Sequence, residues 1–150
     1  MKSRSFAALL IAALLLSSIA LPALAAPPAN QHFQRTWART DQPVVSGQAS
    51  RTWMWGPEGY TGEIQENYQE APGGVRTVQY FDKSRMEITN PDGDPNSIWY
   101  VTNGLLVMEL ITGEMQLGHT FFASYNPAVV NVAGDSDDPT GPTYATFGQL

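Results

Sequence analysis

A small single α+β domain is the fold class this 150-residue chain predicts: β-hairpins and short strands, two or three short helices, an aromatic core and no disulfides. Three observations predict it. In Val75 to Glu87, two apolar-aromatic runs (Val78-Gln79-Tyr80-Phe81 and Met86-Glu87-Ile88) flank the polar tetrapeptide Asp82-Lys83-Ser84-Arg85. Val, Tyr, Phe and Ile suit a pleated, half-buried surface, and an Asp/Lys/Ser cluster between such runs marks a tight turn, so this stretch is a hairpin with a charged tip. In Gln31 to Arg39, Phe33, Trp37 and Ala38 stand at i, i+4 and i+5, a helical stripe that Asn30 can cap. Finally, the chain has no cysteine, so its stability has to come from its core or from neighbouring modules.

The first 25 residues read as an export signal. Lys2 and Arg4 form a positive n-region, Phe6 to Leu16 is almost wholly apolar, and Pro22-Ala23-Leu24-Ala25 supplies an A-x-A cleavage site. The apolar run is shorter than the ~20 residues a membrane span needs. Cleavage near Ala25 is expected to release the mature protein as a secreted, extracellular or envelope-located chain with no membrane span. The mature 125 residues carry six basic and fourteen acidic side chains, a formal charge of −8. A polyanion would be repelled by that field, so nucleic acid is not an expected partner. The expected organisation is a signal peptide over 1–25, a linker over 26–32, a folded module over 33–132, and an acidic loop with the start of a further segment over 133–150.

Taken in order, Ala26 to Asn30 is an extended, Pro-Pro-containing spacer. Asp41-Gln42-Pro43 ends the first helix, and Ser46 to Trp53 is expected to form a second one, with a strand as the competing form. Gly56-Pro57-Glu58-Gly59 and Ala71-Pro72-Gly73-Gly74 are turns, separated by an extended segment on which Ile64, Glu66 and Tyr68 share a face. Thr89 to Ser97 is turn chemistry throughout, and Ile98 to Val101 reads as a strand. Asn103-Gly104 is a hairpin signal, yet Leu105 to Ile111 suits a helix capped by Thr102 or Asn103 and stopped at Gly113; the helix is the expectation. Short extended pieces follow at Met115–Leu117 and Val129–Val132. The apolar, alternating segment Tyr144 to Leu150 reads as a strand and points to a longer parent protein or a truncated gene. The pattern T-G-E-apolar-Q occurs at Thr61–Gln65 and again at Thr112–Gln116, an echo consistent with degenerate copies of one unit or with coincidence.

Four groups of residues are candidates for chemistry. Glu63, Glu66, Glu87 and Glu109 lie near aromatics, and paired carboxylates are what a glycosidase requires; as structural groups they would pair with Arg51, Arg76 and Arg85. Arg85 and Glu87 share a strand face and can join Arg76 in a cross-strand network that fixes register, each exposed pair contributing ~0–1 kcal/mol. Asp92 and Asp94, and separately Asp135, Asp137 and Asp138, offer oxygens to calcium, but neither loop has the twelve-residue pattern ending in Glu, and no metal site is assigned. Trp53, Trp55 and Trp99 are the candidate aromatic platform for sugar rings, set against the more economical use of tryptophan as core. The expected structural core is Trp37, Tyr80, Phe81 and Met86. His32 and His119 are expected to be surface or hydrogen-bonded side chains. No nucleophile elbow, zinc-binding motif or phosphate-cradling loop is present, so neither a catalytic set nor a cofactor is assigned.

Val78-Gln79-Tyr80-Phe81-Asp82-Lys83-Ser84-Arg85-Met86-Glu87 resembles the V-Q-Y-F-E-R-A-R-F-E core of LGFP-type repeats. Trp55-Gly56-Pro57 is similar to their F-G-x-P step, and Gly104-Leu105-Leu106 to their L-G-L-L. The span from Phe33 to Phe147 also looks like an N-terminal module of secreted proteins from filamentous, Chloroflexi-like bacteria. Trp55 stands where the repeats have Phe, and Met86 where they have an aromatic. The resemblance implies a non-catalytic module that associates with the cell envelope, its partner a cell-wall polysaccharide or another envelope protein. An exported hydrolase using paired carboxylates, and a prosegment or accessory domain of a downstream enzyme, are the alternatives.

Overall fold

A computed structural model describes residues 26–82, 84–133 and 140–150 of the chain. Its elements are α1 (Gln31–Thr40), α2 (Gln42–Val45), β1 (Ile64–Asn67), a 3-10 turn (Pro72–Gly74), β2 (Val75–Tyr80), β3 (Arg85–Ile88), β4 (Thr102–Asn103), α3 (Leu106–Thr112), β5 (Glu114–Gln116), β6 (Phe122–Ser124) and α4 (Tyr144–Phe147). Strands β1 to β4 form an antiparallel sheet in chain order, and β5 pairs with β6 in a second, two-stranded sheet. The fold is α+β, as the hairpin and helix signals predict.

Helix α1 forms where the stripe predicts it. The side chain of Asn30 accepts from the backbone N–H of His32 and of Phe33, both at 3.0 Å, so two donors at the helix start are satisfied. The hairpin is also present, with Tyr80 opposite Arg85 and Val78 opposite Glu87. Register follows from the period of two: Ile64, Glu66, Arg76, Val78, Tyr80, Arg85 and Glu87 lie on one face, and Thr77, Gln79, Met86 and Ile88 on the other. The second face builds the apolar core, in which Met86 and Ile88 meet Phe33 of α1, Trp55, Phe81 and Val101, with Trp37 and Tyr100 packed against it. Phe81, Met86 and Trp37 therefore belong to the core as expected. Tyr80 does not: it is half-buried on the opposite face.

Residues 26–30 are fastened along this domain. Ala26 and Gly59 exchange backbone hydrogen bonds of 2.9 and 2.7 Å. The fully buried amide of Gln79 accepts from Ala29 N–H (2.9 Å) and donates to the carbonyls of Pro27 (3.0 Å) and Thr61 (2.8 Å).

Several local expectations give way. Ser46 to Trp53 is neither helix nor strand, because buried Asp41 accepts from the N–H groups of Met54 (2.9 Å), Trp55 (2.7 Å) and Gly56 (3.1 Å). One carboxylate thus fixes the backbone just beyond that loop. Ile98 to Val101 forms turns, not a strand, and strand pairing begins only at Thr102. The helix expected over Leu105–Ile111 forms, and Gly113 ends it with φ +77°, but Leu105 stands at its N-cap without a side-chain cap bond. Tyr144–Phe147 is a helix rather than a strand, because Thr143 and Thr146 form a reciprocal capping box. The T-G-E echo precedes β1 and β5, but its glycines differ: a Cβ on Gly62 meets nothing, whereas one on Gly113 overlaps the Tyr125 carbonyl. Among the described residues no helix is long and apolar enough to cross a membrane. The expected signal peptide and the acidic group Asp135, Asp137 and Asp138 lie outside the described residues.

Phe81, 1 % exposed in the middle of the core, sets the first test. Phe81→Ala is expected to cost about 3–5 kcal/mol in a denaturant titration; a loss below about 1 kcal/mol would place its ring outside the packed core.

Candidate functional site

The polar face of the sheet carries a buried ion network. Arg76 and Arg85 have no exposed side-chain surface, so the ion network expected between them and Glu87 is buried, not exposed. Arg76 lies 3.3 Å from Glu66 and 3.1 Å from Glu87. Arg85 lies 2.7 Å from Glu87 and grips Glu109 of α3 through both terminal nitrogens, at 2.6 and 2.9 Å. The Tyr80 hydroxyl donates to Glu66 and accepts from Arg85 (3.3 Å). Arg76 stacks over the Tyr68 ring at 4.7 Å and donates to the Gln116 carbonyl at 3.1 Å. Burial works against the Arg85 charge, but the Glu109 hydrogen bonds and the Glu87 and Glu109 charges outweigh it and raise the guanidinium pKa. The Tyr80 phenol is pushed up to about 12, first by burial and then by its bond to Glu66. Gly104 permits this packing: a Cβ there would overlap the Glu87 carboxylate and sit 2.9 Å from Arg85 Nε.

This accounts for three of the four candidate glutamates. Glu66, Glu87 and Glu109 meet one another through two guanidiniums, while Glu63 stands apart and accepts from Asn30 Nδ2 at 2.9 Å. Arg51 pairs elsewhere, 3.8 Å from Asp41. Because the network is buried, the small magnitude of exposed pairs does not apply to it: removing one partner strands a charge in low dielectric. The His32 ring packs against Tyr100 at a tilt of 56° with centroids 4.7 Å apart, and exposed His119 donates its backbone N–H to Glu70 at 2.9 Å. The Asp94 side chain accepts from Asn96 N–H at 2.9 Å, and the described residues contain no group of three His, Asp or Glu placed to hold a metal.

The three platform tryptophans do not form one surface. Trp55 is 5 % exposed and packs on Phe81 with centroids 5.8 Å apart, so it is core. Trp99 is 76 % exposed and borders a depression of about 240 Å³ formed by the Thr89–Thr102 turns. Trp53, 40 % exposed, lines a larger cleft of about 660 Å³ together with Met54, Trp55, Glu58, Tyr60 and Asp82.

This second cleft has a fixed base. Asp41 holds the backbone of Met54 to Gly56, and the Trp37 indole donates to the Gly56 carbonyl at 2.8 Å. Tyr60 N–H donates to the Tyr80 carbonyl at 2.8 Å, and its hydroxyl donates to Asp82 at 3.2 Å. Two exposed aromatics and two carboxylates are thus held on anchored backbone, an arrangement suited to stacking and hydrogen bonding to a polar polymer. A W-x-W alternation in a strand would put Trp53 and Trp55 on one face; the segment is not a strand, and Trp55 is buried while Trp53 is exposed. Tyr60 and Asp82 join Trp53 only through the fold, for Asp82 arrives from the hairpin tip. Compared with known protein families, curated proteins and solved structures, the chain finds no match.

The phenol of Tyr80 gives a pH signature. A pKa raised on folding means its contribution to stability is complete below the ordinary tyrosine value of 10.0 and is lost as pH rises through about 12. Stability measured across that interval should fall more steeply for the wild type than for Tyr80→Phe; parallel curves would remove Tyr80 from the network.

Proposed function

We propose that this chain is an exported, non-catalytic module that binds an envelope polymer, a cell-wall polysaccharide being the first candidate, in the cleft bounded by Trp53, Tyr60 and Asp82. The cleft itself carries this reading: exposed rings stand beside carboxylates on backbone that Asp41 and Trp37 hold in place, so little ordering is required on binding. The signal-type N-terminus and the similarity of the hairpin to LGFP-type repeats support the same reading. The glutamates considered for hydrolysis support it as well, since Glu66, Glu87 and Glu109 are engaged by arginines with no exposed side-chain surface.

Purified mature domain should be retained on insoluble cell wall. Trp53→Ala should lower retention at least about tenfold, the loss of one stacking contact of roughly 1.4 kcal/mol, with its thermal midpoint unchanged. Equal retention of the variant would move the site elsewhere. Release of soluble fragments by the wild type, abolished in Glu58→Gln, would make the chain a hydrolase instead.

A further inference from the structure

The depression beside Trp99 shares no lining residue with the Trp53 cleft. Trp99 is largely exposed there, and an indole is the widest stacking face a side chain offers. The turns that carry it are pinned. Arg35 of α1 donates to the Pro95 carbonyl and, at 3.4 Å, to Asn96 Oδ1. The Tyr100 hydroxyl donates to the Pro91 carbonyl at 3.1 Å, and Trp99 N–H donates to Ser97 Oγ at 3.2 Å. Two polar side chains of the depression use one atom to hold the turns and keep the other free. Asn90 Oδ1 accepts from Asp92 N–H at 3.2 Å, and Asp94 Oδ1 accepts from Asn96 N–H at 2.9 Å. Asn90 Nδ2 and Asp94 Oδ2 bond to none of the described residues. Gly93 keeps that amide approachable, since a Cβ there would stand 3.5 Å from Asn90 Nδ2.

One amide donor, one anionic acceptor and one ring face therefore line a space of about 240 Å³. Every sugar hydroxyl both donates and accepts. Vicinal hydroxyls can give to Asp94 and take from Asn90 while the C–H face of the ring stacks on Trp99. An ammonium group has no use for the Asn90 donor, and an anionic ligand is repelled by Asp94. The space is smaller than the ~300–1,000 Å³ of sites for drug-sized molecules, so it suits one ring of a chain. We infer that the Trp99 depression is a second binding site, taking one neutral hexose residue of a polysaccharide between Trp99, Asn90 and Asp94. It goes beyond the Trp53 cleft and does not depend on it. A module with both sites grips one polymer at two points, and the second contact gains from the effective concentration set by the first.

The test titrates the mature chain with the methyl glycosides of glucose, galactose and mannose, which differ in the orientation of their hydroxyls. Cyclohexanol, a ring of similar size with a single hydroxyl, is the control. Indole and side-chain amide N–H signals are followed by NMR, the Trp99 indole being the signal that Trp99→Ala removes. At least one hexoside should shift the Trp99 indole and the Asn90 amide saturably, and cyclohexanol should not. Asp94→Asn retains the oxygen that accepts from Asn96 and should weaken hexoside binding at least about tenfold. Trp99→Ala, followed at the Asn90 amide, should abolish binding with its thermal midpoint unchanged. Trp53→Ala should leave the Trp99 shifts as they are. No saturable shift from any hexoside, or an equal shift from cyclohexanol, would overturn the site. Shifts confined to the Trp53 indole would also overturn it, while supporting the cleft. Loss of wall retention with the Trp99 shifts intact would remove the cleft reading and leave this one standing.

Discussion

Two guanidiniums shared among three carboxylates form the constraint on which the arrangement of this domain depends. Arg76 and Arg85 project from neighbouring strands onto one face of the sheet, and Glu87 between them touches both. A charge in that position has no water to fall back on, so each guanidinium is stable only while its partners stay in place. Slipping β2 against β3 by one residue would put Arg76 on the opposite face from Arg85 and Glu87 and break the network. The network thereby specifies register more strongly than any single apolar contact. It also ties the sheet to α3 through Glu109, and to β5 through Gln116, whose N–H donates to Glu109 while its carbonyl accepts from Arg76.

The two faces of the sheet are consequently held by different physics. The α1 face is a conventional apolar core in which Phe33, Phe81 and Met86 lie at or near zero exposure. On the other face the later part of the chain docks mainly through charge and hydrogen bonds. Beyond Val101, only Tyr144 among the described residues joins the set of buried apolar side chains, while Leu105, Met108, Phe121, Tyr125 and Val129 remain exposed. The Trp53 cleft borders the apolar core, since Trp55 belongs to the core and also lines the cleft.

What was legible in the sequence was what depends on short-range pattern. The hairpin, α1 with its Asn30 cap, the turns, and the α3 stop at Gly113 all follow from side-chain periodicity and from residues with restricted backbones. What was not legible depends on partners distant in the chain. Asp41 looks like a helix-ending residue, and nothing local reveals that its carboxylate meets Met54 to Gly56 and keeps Ser46 to Trp53 from becoming a helix. Ile98 to Val101 has strand composition but finds no neighbouring strand, so propensity is overridden. Arg85 reads as a member of an exposed cross-strand network with Glu87 and Arg76 until the fold brings Glu109 to it from α3. The candidate site divides in the same way: Trp53 stood out by type, whereas Glu58, Tyr60 and Asp82 gain meaning only from the cleft that assembles them.

The claim that the buried network joins sheet and α3 is tested most directly by a double-mutant cycle on Arg85 and Glu109, with stability measured by denaturant unfolding of Arg85→Leu, Glu109→Leu and the double variant. Each single replacement strands a buried charge and is predicted to cost about 3–5 kcal/mol, while the double replacement costs less than their sum by about 2 kcal/mol or more. Costs that simply add, to within about 0.5 kcal/mol, would contradict the account and leave the layers held by something other than these charges.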